Sequence, residues 1–146
     1  AYPSYPPPVV SAPRPKTLYA GPLSIFVSHS QADNAWCRVF VDGLKSQGCD
    51  VWYDEQGLGG GAVWQKRIVE ELQSRPFFVV ILSPDSTNSQ WVDEEIQLAL
   101  SARRYIIPIH YRQTTIVGFL ANRQIVDVRG MNGQAAAQGS SHRRGS

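Results

Sequence analysis

The sequence predicts an α/β domain in which a parallel sheet carries helices on both faces. Three observations predict it. Short apolar runs alternate with stretches of helical periodicity from Leu23 to Val128. The run Phe77-Phe78-Val79-Val80-Ile81-Leu82 is apolar without interruption, as expected of a strand buried on both faces. Trp36, Phe40 and Leu44 recur at four-residue spacing beside Cys37 and Val41, which marks one buried helix face. The resulting β-α-β-α-β-α-β-α-β alternation, with five strands, favours the flavodoxin-like three-layer order 2-1-3-4-5. Its topological switch point lies between strands one and three.

The elements follow in order. Leu23–Ser28 is a short apolar strand, and the helix over Asp33–Gln47 stops at Gly48. Asp50–Tyr53 forms the second strand, and Asp54–Gly61 a glycine-rich loop. Trp64, Ile68 and Leu72 mark the inner face of the second helix. Strand three is Phe77–Leu82. Pro84 ends it, an Asp/Ser/Thr/Asn cluster makes a loop, and Ser89 caps the helix that runs from Gln90 to about Arg103. Val92, Ile96 and Ala99 of that helix face the core. Strand four is Tyr105–Ile109, a short irregular segment follows, and Gln124–Val128 is strand five.

Ala1–Pro22 holds most of the prolines and reads as a semi-rigid linker. The domain is expected over 23–129. From Gly130 to Ser146 a Gly/Ala/Gln/Ser composition predicts a disordered tail or a second linker. The chain begins without Met, so the expectation is a module of a larger protein with further domains. A formal net charge of +2, with charged residues at 18%, offers no basic stripe for nucleic acid. No apolar stretch approaches the ~20 residues that span a bilayer, and the first residues lack a signal-peptide layout. Cys37 and Cys49 read as small hydrophobes in a reducing compartment, the cytoplasm, rather than as a bridge or metal pair.

The order 2-1-3-4-5 brings the loop Ser28-His29-Ser30-Gln31 beside the segment leading to Trp91 and Glu95. These two residues lie four apart on one helix face at the carboxyl edge, where α/β sheets bind ligands. Alone, Glu95 would be a solvated helix carboxylate and Trp91 a core residue; together, at that edge, they suggest a site. Gly57-Leu58-Gly59-Gly60-Gly61-Ala62 fits the dinucleotide pattern G-x-G-x-x-G/A but follows strand two rather than strand one. A loop that approaches a partner or ligand is the better reading. His29 is expected to line the site and His110 to be structural, and no Cys, His or Asp cluster has metal spacing. With no G-x-S-x-G elbow, Ser28 and Ser83 are poor nucleophiles. Ser83-Pro84 also stands where a phospho-receiver would carry its acceptor Asp.

Ser24-Ile25-Phe26-Val27-Ser28-His29-Ser30 resembles the first box of TIR (Toll/interleukin-1 receptor homology) domains. Val51-Trp52-Tyr53-Asp54-Glu55 followed by Leu58-Gly59-Gly60-Gly61 resembles their second strand and BB loop. Ile81-Leu82-Ser83-Pro84 with Ser89-Gln90-Trp91-Val92-Asp93-Glu94-Glu95-Ile96 resembles strand three and the third helix, and Ile107-Pro108-Ile109 matches strand four. The resemblance spans Leu23 to Val128, and a BB loop this rich in glycine departs from the family pattern. It implies that Glu95 is the catalytic carboxylate, because Trp91-x-x-x-Glu95 is typical of the bacterial, plant and axonal members that cleave NAD. Ser28, His29, Ser30, Asp54, Leu58, Gly61, Ser83 and Trp91 are the expected substrate contacts.

NAD is then the substrate, with no cofactor and no metal. Nicotinamide leaves as a neutral pyridine, so one carboxylate suffices to stabilise the oxocarbenium-like ribose, whereas glycosidases generally need two. Water or an adenosine group traps the cation, giving ADP-ribose or a cyclic isomer. The implied partners are other TIR domains, which complete the site by self-association, in a bacterial defence or signalling protein. The rival reading is a non-catalytic scaffold that self-associates through the BB loop. At a helix surface, replacement of Glu95 is expected to leave the fold intact.

Overall fold

β-branched and aromatic residues without a polar break make Phe77–Leu82 the centre of the sheet, and all six are buried. The computed structural model describes residues 23–53, 62–116 and 118–138. In it this strand, β3, lies between β1 (Ser24–Ser28) and β4 (Tyr105–His110), with β2 (Asp50–Tyr53) and β5 (Val126–Asp127) outside them. All pairs are parallel, and the order is β2-β1-β3-β4-β5. This is the predicted order.

Side chains that alternate along β3 divide the core in two. Phe77, Val79 and Ile81 join Ile25, Val27, Ile107 and Ile109 beneath α1 (Asn34–Ser46), which contributes Cys37, Phe40, Val41 and Leu44. Phe78, Val80 and Leu82 face the other way, with Phe26 and Ile106. There they meet Ile68 and Leu72 of α2 (Ala62–Ser74) and Val92, Ile96 and Ala99 of α4 (Gln90–Ser101). Side chains of residues 62–64, Trp64 among them, lie outside the described residues. α1 closes at Gly48, whose φ of +93° is left-handed and open to glycine at no cost.

Three stretches depart from the sequence reading. The loop after Pro84 contains a single helical turn, α3 (Pro84–Thr87), because Ser83 and Ser86 form a reciprocal capping box and Pro84 takes a first-turn position. The irregular segment after β4 holds another short helix, α5 (Gly118–Ala121). Residues 133–138 are helical (α6) rather than a disordered tail, and Ala136 and Ala137 are fully buried. Small residues allow this docking. A Cβ on Gly133 would sit 2.7 Å from Phe40 N and 2.8 Å from Trp36 O, and one on Gly43 would sit 2.6 Å from Ala137 Cβ. The Trp36 indole N–H also donates to Met131 O at 2.9 Å.

Candidate active site

Two loops at the carboxyl edge are built by local chemistry. Past β1, the Ser30 hydroxyl accepts from Ala32 N at 3.2 Å and starts a 3-10 turn over Gln31–Asp33 that leads into α1. Past α3, the Ser89 hydroxyl accepts from Val92 N at 3.2 Å and caps α4, as expected from sequence. That cap sets the phase of the helix. Trp91 comes to lie half-buried against the second core, and Glu95 points inward.

Glu95 is 3% exposed, and the buried Ser28 hydroxyl donates to its Oε1 at 2.6 Å. A hydroxyl–carboxylate bond of that length is charge-assisted. The expectation that Glu95 lies at a helix surface, replaceable at little cost to the fold, is thus corrected. α4 packs across the end of β1, so the side chain meets Ser28 instead of water. Glu95 and Trp91 together line a groove of about 420 Å³ between α2 and α4, walled by Ile68, Val69 and Leu98. That volume suits a nucleoside-sized group.

The other predicted contacts divide. His29 is buried, its Nε2 is 2.6 Å from Asn34 Oδ1, and its ring stacks on Tyr53 with centroids 4.7 Å apart. Ser30 spends its hydroxyl on the turn just described. Ser83 is fully buried and donates to Asp33 Oδ2 at 2.5 Å. Asp54, Leu58 and Gly61 lie outside the described residues. Among the expected contacts, the structure therefore brings Ser28 and Trp91 to Glu95 and sends His29 and Ser83 to other partners.

Sequence reasoning missed Asp33 and Arg112. Asp33 is 2% exposed, and burial is the main cause that raises its pKa; the Ser83 hydrogen bond opposes it. Arg112 Nη1 stands 3.7 Å from Asp33 Oδ1 and 3.6 Å from Asp85 Oδ2, with its guanidinium over the Tyr111 ring. In sequence Asp33 reads as an ordinary helix start. The only signal was its place in the switch-point loop.

Among the described residues no group of three or more His, Cys, Asp or Glu is arranged to hold a metal, and no helix is long and apolar enough to cross a membrane. Burial raises the Cys37 thiol far above its ordinary range, away from reactive thiolate character.

The family model described as "TIR domain" matches residues 25–140. The chain belongs to the TIR domain family. It is 33% identical over 98 residues to the NAD(+) hydrolase PdTIR of Paracoccus denitrificans, covering 64% of this chain and 33% of that protein. It is 28% identical over 107 residues to the 2′ cyclic ADP-D-ribose synthase BtTIR of Bacteroides thetaiotaomicron, covering 70% of this chain and 36% of that protein. This TIR domain therefore spans about a third of the length of these relatives. Among solved structures, its fold matches the crystal structure of the TIR domain of the Toll-related receptor TRR-2 from Hydra magnipapillata. The TM-score is 0.62 at 23% identity, over 70% of this chain and 82% of that one.

Proposed function

We propose that this TIR domain cleaves NAD at the bond between nicotinamide and ribose, with Glu95 as the catalytic carboxylate. The observation that carries the reading is the buried hydrogen bond from Ser28, at the carboxyl end of β1, to Glu95, a residue that with Trp91 also lines the groove between α2 and α4. The names of two relatives, an NAD(+) hydrolase and a 2′ cyclic ADP-D-ribose synthase, support it.

The chemistry follows from the geometry. Nicotinamide departs with the bonding electron pair as a neutral ring, so no proton has to be supplied. Positive charge then develops on the ribose. A carboxylate already oriented by Ser28 stabilises that charge without reorganising. The side chain is shielded from water, which strengthens the effect. Trp91, one helical turn earlier, offers a face for stacking beside the nicotinamide riboside. Attack by water gives ADP-ribose and a proton, and attack by an adenosine group of the same molecule gives a cyclic isomer. The domain then acts within a larger cytoplasmic defence or signalling protein, and neighbouring TIR copies complete the site. The test is chromatography of NAD incubated with protein over a hundredfold concentration range. Free nicotinamide is expected, with specific activity rising on association. Intact NAD at every concentration would sink the catalytic reading and leave a scaffold.

A further inference from the structure

Asp33 occupies the N-cap position of α1, where an aspartate ordinarily accepts a hydrogen bond from the first turn. It makes no such bond. Its carboxylate turns inward, accepts the Ser83 hydroxyl at 2.5 Å, and leaves Oδ1 without a hydrogen-bond partner, facing Arg112 at 3.7 Å. α1 thus forgoes a side-chain cap, and a carboxylate is desolvated with one oxygen unsatisfied. Both cost stability, so stability alone does not account for an aspartate here.

Ser83 has one proton to give. With that proton donated to Asp33, its Oγ lone pairs accept from Ser86 N at 3.1 Å, and Ser86 Oγ accepts from Ser83 N at 2.9 Å. This box starts α3, which runs through Asn88 into the Ser89 cap and the first turns of α4. At the other end, Asp33 closes the short turn that follows Ser28 and His29. One buried bond therefore ties the loop that follows Ser28 at the end of β1 to the segment that carries Trp91 and Glu95. We infer that Asp33 is a positioning residue, which locks the β1–α1 loop to the β3–α4 segment through Ser83 and so holds Ser28 in register with Glu95. The inference rests on the reading of Glu95 as the catalytic carboxylate.

Asp33→Asn and Asp33→Ala test it, with steady-state nicotinamide release, melting temperature, and hydrogen exchange of residues 84–95 as readouts. Asparagine keeps an acceptor for Ser83 and removes the buried charge. It should leave kcat within about threefold of wild type, with exchange unchanged and melting temperature equal or higher. Alanine should lower kcat on the order of 10- to 100-fold with KM little changed, and should speed exchange across 84–95. Adding Asp33→Ala to Ser83→Ala should make it no worse than Ser83→Ala alone, because Ser83→Ala already breaks this bond along with the Ser86 N cap. Unchanged kcat and exchange in the alanine variant would overturn the inference, as would failure of asparagine to rescue exchange. If the wild type releases no nicotinamide, the proposed function fails by itself, and the exchange pattern still decides the clamp.

Discussion

Replacing Glu95 with glutamine isolates the charge from the shape. The wild-type carboxylate is 3% exposed and takes a 2.6 Å hydrogen bond from Ser28. The amide of the Glu95→Gln variant would keep a carbonyl oxygen for that hydroxyl but lose the charge assistance, which is about half the strength of such a bond, or about 1 kcal/mol. Removing a desolvated charge offsets part of this. Net destabilisation is thus expected within about 1 kcal/mol, a melting shift of about 4 °C. Glu95→Ala differs: it strands the buried Ser28 hydroxyl and opens a cavity, costing about 2–4 kcal/mol. The alanine variant therefore confounds folding with catalysis, and the glutamine variant does not. In the transition state a neutral amide cannot stabilise the cationic ribose, so nicotinamide release should fall by about 10²-fold or more. Chromatographic rates at saturating NAD, paired with calorimetry, measure both effects. Glu95→Gln turnover within twofold of wild type, with melting unchanged, would refute the assignment of Glu95 and the electrostatic argument with it.

Trp91 is half-buried on the second core. Trp91→Ala should cost about 2 kcal/mol and most of the activity, whereas Trp91→Phe should keep stacking and most turnover, a split that melting and rate measurements resolve. His110 has its pKa held below the ordinary value, first by burial and then by Arg129. The unfolded chain therefore binds a proton that the fold resists. Stability should be full above pH about 6.5 and decline as pH falls below it, by about 1 kcal/mol per unit, in urea titrations. His110→Leu should flatten that window. Gly133→Ala places a methyl against the backbone of Trp36 and Phe40. It should cost about 1–3 kcal/mol by calorimetry, and removal of residues 129–146 should destabilise similarly.

Where a residue's role is decided by its near neighbours along the chain, the sequence determined it. Asp50–Tyr53 and Phe77–Leu82 are strands at the expected bounds because apolar runs between turn residues have few alternatives. Ser89 caps α4 because its partner, Val92 N, is three residues away. The pairing of Trp91 with Glu95 on one helix face follows from helical pitch alone. The helix at 133–138 was not legible, since its buried residues are alanines and its docking depends on two glycines, Gly43 and Gly133. The strand order placed Ser28 beside the Glu95 segment, but the direct bond between them, 67 residues apart, was not legible, and neither was the partner of Asp33, 50 residues away. Periodicity reports which face of an element is covered, but not which polar group is waiting there. Only the packing of α4 over the adjacent strands β1 and β3 turned Glu95 from a surface carboxylate into a buried one, and the Ser83 hydroxyl drew Asp33 away from the helix it would otherwise have capped.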